Sequence, residues 1–510
     1  MSIARVFGCV PIGVEGYAIE VEGHVSDGLI AMNVTGLADT SINESKDRVR
    51  AAMINTGCTW PQRRITVGLS PASLPKHGSG LDLPIAIAIA RADNQIANSI
   101  LDDTMFYGEL SLDGRVRQVP GALLAAIAAR QKGCRRIVLS HRDAEVARLV
   151  SEIEVVGVSH LSQVLNLCGG EFPLLSIEEE SEDIEISEQT SPENYSQVKG
   201  QAWGKFACEV AAAGGHHLAI LGPPGVGKTL LAERLPSILP KLTRSQALEV
   251  AAIKSASARS SGLNFQPPFA SPHHTSSYTS LIGGGSGVPV IGLITQAHRG
   301  VLFLDEAPEF ATNVLDALRQ PLESGKVSIS RRTFKLELPA SFQLVLAANP
   351  CPCGHALDPN GRCQCTPTQR RRYLGRISGP LMDRVDIRVV MDPPTAFDLD
   401  YNSPSAEDSD LIRVRVENAI GRAQHRLKDT PWKKNAEIPS SAIRELFPLK
   451  GESSSRLNQY LVSSRSSARG IDRIARLAWT VADLHDHSNP EISDVETAIK
   501  LREADGRWLI

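Results

Sequence analysis

Three short apolar runs punctuate the middle of the chain: "HHLAILG", "GVLFLDE" and "FQLVLAAN". Segments with helical periodicity separate them. Such runs read as buried strands alternating with helices, the pattern of a mostly parallel sheet with helices on its faces. Ahead of the third run, "GKVSISRRTFKLELP" (Gly325–Pro339) alternates apolar and polar positions on both sides of a basic tip, which predicts a β-hairpin. Near the C-terminus the period changes. Ile471, Ile474, Ala475, Ala478, Val481 and Ala482 recur at helical spacing and predict one buried helix face. "NPEISDVETAIKL" predicts a further helix with Ser493 as its cap.

Length, composition and charge divide this pattern into domains. A chain of 510 residues exceeds one ordinary core, so about two to four domains are expected. The 42% hydrophobic and 22% charged content is that of a globular protein, not a disordered one. "MSIARVFGCVPIGVEGYAIEVEG" lacks the basic lead and apolar run of a signal peptide, and no apolar stretch approaches about twenty residues. A cytoplasmic location without a membrane partner is expected. Cys9, Cys58, Cys134, Cys168 and Cys208 are scattered and read as small buried hydrophobes.

The net charge of −3 argues against a uniformly basic nucleic-acid binder, but it is unevenly spread. Ser176–Tyr195 holds eight acidic residues and no basic one, so the rest of the chain is net positive. This stretch reads as an exposed linker. "DLDYNSPSAEDSD" (Asp398–Asp410) is a weaker break. The expected organisation is a domain at 1–172, an acidic linker at 173–195, an α/β core at 196–400 and a helical domain at 401–510. Basic residues cluster at Arg331, Arg332 and Lys335, and again at Arg370, Arg371, Arg372 and Arg376. Each cluster is either a solvated face or a phosphate-backbone contact.

The chemistry concentrates at the ends of the three apolar runs. After the first comes GPPGVGKT: Gly222, Pro223, Pro224, Gly225, Val226, Gly227, Lys228 and Thr229. A strand, a glycine-rich turn, Lys-Thr and then a helix form a P-loop. Its glycines let backbone N–H groups turn toward phosphates, Lys228 supplies a charge to the β and γ phosphates of ATP, and the Thr229 hydroxyl ligates Mg²⁺. The second run ends in Asp305 and Glu306, suited to Mg²⁺ binding and water activation respectively. The third ends in Asn349, placed to touch the γ-phosphate or orient the attacking water.

Directly after Asn349, Cys351, Cys353, Cys363 and Cys365 occupy fifteen residues as two CxC pairs. The spacing permits tetrahedral sulfur coordination, which favours Zn²⁺ in a reducing compartment. Four reduced cysteines are the alternative. "GHALDPNG" supplies the turn residues between the pairs, and His355 is a spare ligand. No water-activating base sits among them, so a structural role is expected.

"AHRGVLFLDEAPEF", "LDALRQPLESGKVSISR", "LAANPCPCG" and "SGPLMDRVDI" resemble the ComM/YifB family of bacterial Mg-chelatase-like AAA+ ATPases. The resemblance runs the full length, through "VTGLADTSINESKDRVRAAMINTG" and "RITVGLSPASLPKHGSGLDLPIAIAIA". It implies a hexameric ring of identical subunits with ATP held between neighbours. It assigns Lys228 and Thr229 to Walker A, Asp305 and Glu306 to Walker B, and Asn349 to sensor 1. Arg384 becomes the arginine finger acting on the neighbour's ATP, and Arg469 the sensor 2 residue on a helical lid. Val198–Gln201 falls where the family approaches adenine. The hairpin becomes a pore element whose Arg331, Arg332 and Lys335 would track DNA. Ser271–Gly287, with His273 and His274, becomes a second pore element. The implied activity is a helicase that drives branch migration on single-stranded and branched DNA in natural transformation, with recombination proteins as possible partners.

The N-terminal domain resembles the Lon-protease fold (ribosomal S5 domain 2-like). There the nucleophilic Ser and its partner Lys would fall at Gly80 and Leu123, so a protease is not expected. Before Walker B the chain reads "IGLITQAH", with Leu293 and Gln296 departing from the family pattern. The competing readings are a chelatase-type motor and a protein remodeller that does not act on DNA.

Overall fold

The computed structural model describes residues 3–36, 40–97, 100–174, 194–257, 263–285, 290–330, 335–357, 361–393, 407–463 and 468–508. Most of the acidic linker, and Arg331 and Arg332, lie outside these residues. The chain divides into two compact units.

The first unit comprises Met1–Ile184, Arg244–Asn264 and Gly284–Ile291. Its sheet contains β1 (Ile3–Ile12), β2 (Glu15–Ser26), β3 (Ala31–Thr35), β4 (Arg64–Ser70), β5 (Thr104–Phe106), β6 (Arg136–Ser140) and β7 (Glu154–Val158). The order is β3-β4-β2-β1-β5-β6-β7. β2 runs antiparallel to both β1 and β4, and the β1-β5-β6-β7 half is parallel. α1 (Thr40–Asn55), α2 (Asp82–Ala92) and α3 (Ala122–Lys132) follow the strands. The sequence of α2, "DLPIAIAIARA", is apolar around nearly its whole circumference, and all of it but Arg91 is buried. Its first residue, Asp82, is fully buried and is held by Arg48 of α1 at 2.8 Å.

The two units do not follow one linear cut: the helix Arg244–Ser257 and residues Gly284–Ile291 come from inside the 196–400 segment, yet belong to the first unit. Ala251 and Ala252 join the core around α3, and the Ser255 carbonyl accepts the Gly121 N–H at 2.8 Å.

The second unit holds the sheet expected from the three apolar runs. β8 (Leu218–Leu221), β9 (Phe269–Ala270), β10 (Val301–Leu304), β13 (Gln343–Ala348) and β14 (Ile387–Val390) are arranged β9-β10-β13-β8-β14, all parallel. Between β10 and β13 the chain makes the predicted antiparallel hairpin, β11 (Lys326–Ser330) with β12 (Lys335–Pro339), registered from Lys326 opposite Pro339 to Ser330 opposite Lys335. α4 (Ala202–Gly214) precedes β8, and α5 (Lys228–Glu233) follows it.

The helical region contains α6 (Ser409–Arg426), α7 (Ala468–His485) and α8 (Ile492–Glu503). The predicted face of α7 is buried: Ile474, Ala475, Ala478, Val481 and Ala482 enter the core, with Ile471 partly covered. The α8 cap differs from expectation. Glu491, not Ser493, is the cap, in a reciprocal capping box with Asp494. The helix starts two residues earlier because an acid three positions on completes the box. Among the described residues no helix is long and apolar enough to cross a membrane.

Candidate nucleotide site

Parallel strands in register bring their carboxyl ends to one edge of the sheet. Leu221 lies opposite both Ala348 and Val390, and Leu304 lies opposite Leu346. Gly222, Asp305 and Asn349, each the residue after its strand, therefore converge, as expected at the carboxyl edge of an open α/β sheet. Gly225 and Gly227 adopt φ of 81° and 91°, which only glycine reaches without strain.

Lys228 opens α5 with a buried side chain. Its Nζ donates to the carbonyls of Gly222 (2.7 Å) and Pro223 (2.9 Å) and to Asn349 Oδ1 (3.0 Å). Burial lowers its pKa, opposed by the nearby Asp305 and Glu306 charges. Thr229 Oγ1 donates to Asp305 Oδ2 at 2.7 Å. A hydroxyl and a carboxylate this close, beside a phosphate-shaped loop, are the oxygen donors that Mg²⁺ takes. The Glu306 N–H donates back to Asp305 Oδ1 at 2.9 Å, and Glu306 holds φ of 50°, uncommon for a residue with a side chain. Its exposed carboxylate lies 3.7 Å from His274 Nδ1, and the His273 and His274 ring centroids lie 4.2 Å apart with the rings tilted by 33°. Gln201 also has positive φ (57°), and its Nε2 donates to the Val226 and Asp392 carbonyls, binding the Val198–Gln201 segment to the P-loop.

Family models described as "Magnesium chelatase, subunit ChlI", "Subunit ChlI of Mg-chelatase" and "Magnesium chelatase, subunit ChlI C-terminal" match residues 194–398, 21–143 and 406–502. The uncharacterized protein YifB of Escherichia coli is 40% identical over 506 residues, covering 99% of this chain and 96% of that one. Competence protein ComM of Haemophilus influenzae is 38% identical over 489 residues, 95% and 94% of the two chains. The chain belongs to the ComM/YifB family of Mg-chelatase-like AAA+ ATPases. Lon protease 2 of Bacillus subtilis is 28% identical over 203 residues, 35% of this chain and 36% of that one. The family's fold, a Lon-like N-terminal region, an AAA+ sheet and a helical C-terminal region, is therefore the fold described above.

In this family frame Arg384 sits at the far end of the sheet. Ile387 opposes Leu218, at the start of β8, and Arg384 lies three residues earlier still. Arg384 thus lies in the turn before β14, beside the amino end of β8, and the four strand steps from Leu218 to Gly222 span roughly 13 Å. Its guanidinium is engaged by Glu323 and the Pro380 carbonyl. Arg469 is exposed in the first turn of α7. The Lys335 side chain, like Arg331 and Arg332, lies outside the described residues.

The four cysteines do converge. Cys351, Cys353, Cys363 and Cys365 place their sulfurs within 4.8 Å of one another. Cys351 to Cys353 is 3.3 Å, Cys353 to Cys363 is 3.5 Å, and Cys351 to Cys363 is 3.6 Å. The backbone N–H of His355, more than the neighbouring thiols, pulls Cys353 down to about 6. Such a set could hold a metal ion. The loop also touches the P-loop. A Cβ on Gly354 would lie 2.6 Å from Pro224 Cδ, closer than atoms pack. The other five cysteines are buried and free, as expected.

At Gly80, where the Lon nucleophile would fall, a Cβ would meet the Tyr107 ring at 2.4 Å. Leu123, at the position of the partner lysine, is fully buried.

Among the features that escaped the sequence reading are the His274 approach to Glu306, the contact between Gly354 and Pro224, and a largely buried polar junction around His216, His217 and Asp386. The two histidines were visible as a pair, but no spacing rule couples them to residues far along the chain.

Proposed function

We propose that the chain is an ATP-driven DNA motor that works as a hexameric ring and promotes branch migration and single-strand integration in homologous recombination. The observation that carries this reading is the placement of Arg384. Within one chain this arginine lies beside the amino end of the sheet and the P-loop at its carboxyl end, which supports a reading in which Arg384 serves the ATP of a neighbouring subunit. ATP hydrolysis is then a ring activity. Lys228 and Asn349 would face the terminal phosphate, Thr229 and Asp305 would hold Mg²⁺, which when bound would supply charge neutralisation at the phosphates, and Glu306 would orient the attacking water.

The DNA half rests on two supports. The hairpin β11-β12 carries a basic tip between the Walker B and sensor strands, and a relative with near-complete coverage is named a competence protein. Arg331, Arg332 and Lys335 are the proposed backbone contacts. The N-terminal domain is proposed as a non-proteolytic scaffold, because the Tyr107 ring fills the space a nucleophile at position 80 would need. The cysteine cluster is proposed to hold structural Zn²⁺. Tetrahedral sulfurs at about 2.3 Å from zinc lie about 3.8 Å apart, a small expansion of the distances seen here. A chelatase-type motor shares the ATPase core, and the family models carry that name.

The deciding experiment compares the protein with Lys228→Ala on three- and four-strand DNA junctions. ATP-dependent branch migration by the first and none by the second supports the motor. ATPase activity that DNA neither stimulates nor couples to remodelling would favour the chelatase-type reading.

A further inference from the structure

The last helical turn of α7 carries a second cluster of ligating side chains. α7 ends at His485, and Asp486 follows with φ of 64°, a left-handed conformation uncommon outside glycine. That turn returns His487 toward the helix, where its N–H donates to the Ala482 carbonyl at 2.9 Å. Both imidazoles now face one carboxylate. Asp494, in the first turn of α8, is fully buried. Its Oδ1 lies 2.8 Å from His485 Nδ1, and its Oδ2 lies 2.8 Å from His487 Nδ1. The two rings are 5.6 Å apart, and the three ligating atoms lie within 4.8 Å of one another.

We propose that His485, His487 and Asp494 form a divalent-cation site, suited to Zn²⁺, that pins the end of α7 to the start of α8. Two imidazoles and one carboxylate leave a fourth position for water, the donor set of three-ligand zinc sites. Ligands about 2.0 Å from zinc lie about 3.3 Å apart in a tetrahedron, so each Nδ1 needs to withdraw from Asp494 by about half an ångström. On binding, each Nδ1 gives its proton up, either to Nε2 of the same ring or to solvent, and offers its lone pair to the metal. The Glu491 carboxylate lies 3.9 Å from His487 Nε2, so a proton moved there sits near a negative charge. A surface cavity of about 720 Å³, lined by residues that include Arg422, Arg426, Asp483, Asp486 and His487, opens beside His487.

The consequence reaches the finger strand. From α8, Arg502 donates to the carbonyls of Val385 and Asp386, the two residues after Arg384. A metal at the α7–α8 turn therefore stiffens the helix on which that strand rests.

A purely structural role has a definite alternative form: two histidines that only donate hydrogen bonds to a buried aspartate. Asparagine separates the two, because its amide donates to Asp494 as imidazole does but does not serve as a zinc ligand. The full chain carrying Cys363→Ser and Cys365→Ser, which disables the other cluster, is stripped of metal and titrated with Zn²⁺. The expected result is about one equivalent bound and a raised unfolding midpoint. Adding His485→Asn and His487→Asn is expected to weaken zinc binding by roughly tenfold or more, with the metal-free midpoint unchanged. No zinc bound in the cysteine-disabled chain, or equal binding after the asparagine changes, overturns the proposal. Cobalt in the unaltered chain gives a reading independent of any variant. Two equivalents, one lacking thiolate charge-transfer absorption, support the site. Thiolate-type cobalt alone overturns it, and thiolate-free cobalt alone would instead count against the cysteine site.

Discussion

At the carboxyl edge of the five-stranded sheet, the reactive groups are held by one another and reach solvent: Thr229 on Asp305, and Glu306 beside His274. At the amino edge, polar groups of similar chemistry are sealed. His216 lies 2.9 Å from Asp386 and 2.8 Å from Thr480 of α7. Arg473 reaches the other Asp386 oxygen at 3.0 Å. His217 Nδ1 accepts the Leu344 N–H at 3.1 Å, and Asn435 donates to both Thr480 and Asp483. Exposed pairs exchange partners at little cost when ATP and Mg²⁺ arrive, because water covers the intermediate states. Buried pairs have no such substitute, so they fasten the helical lid to the sheet. The ATP edge is built to change partners, and the amino edge to keep them.

The strongest way to break this contrast is at the ATP edge. Lys228→Ala or Glu306→Gln is expected to lower ATP turnover by roughly 100-fold or more, with the thermal unfolding midpoint unchanged. A large drop in stability would mean that this edge is also structural. Arg384→Ala is expected to lose turnover as completely in pure form. Mixing it with Lys228→Ala, itself inactive, should then restore activity, since each supplies what its neighbour lacks. Mixtures that stay inactive would remove Arg384 from the neighbour's site.

The amino edge is expected to respond in stability. Asp386→Ala leaves His216 and Arg473 buried without their anion, at a cost of about 3–5 kcal/mol. Thermal unfolding reads this directly, and nucleotide affinity of the remaining folded protein should not move. Acid tests the same edge without mutation. Burial holds His217 down to about 4, from an ordinary 6.5. Between those values the unfolded chain takes up a proton that the folded chain refuses, so stability is full above pH 6.5 and falls as pH drops toward 4. The loss is about 3 kcal/mol at most. Burial raises the Asp386 carboxyl, but hydrogen bonding and charge from His216, with Arg473, hold it well below its usual range. It therefore adds a loss of the same sign as pH falls through and below 3.8. A flat stability profile from pH 7 to 4.5 would contradict a His217 held neutral by its surroundings. The smallest effect is expected at the cysteine loop. Gly354→Ala forces a methyl against Pro224 at a φ of 80°, and should weaken nucleotide binding about fivefold. Unchanged binding would mean that the cysteine loop does not brace the P-loop.

Much of the ATP edge was legible because each of its residues ends a strand or turn with a strong local signature. GPPGVGKT, the Asp305-Glu306 pair and Asn349 needed no knowledge of one another, and parallel pairing brought them together. The four cysteines were legible for the same reason, being close in sequence. His216, Asp386 and Thr480 were not, because 170 and 264 positions separate His216 from its two partners. The α8 cap was misplaced by a similar limit. Ser493 is the better local cap, but the box between Glu491 and Asp494 satisfies two groups at once.

Local chemistry in the chain thus determined the family, the residues that meet at the carboxyl edge, the hairpin and the presence of a cysteine cluster, because short-range backbone geometry and strand period act within a few residues. Tertiary structure alone decided which charges are sealed, that Tyr107 occupies the space beside Gly80, that Gly354 leans on Pro224, and that two histidines share Asp494. Those outcomes depend on burial and on contacts between distant segments, where desolvation sets the cost of every unpaired group.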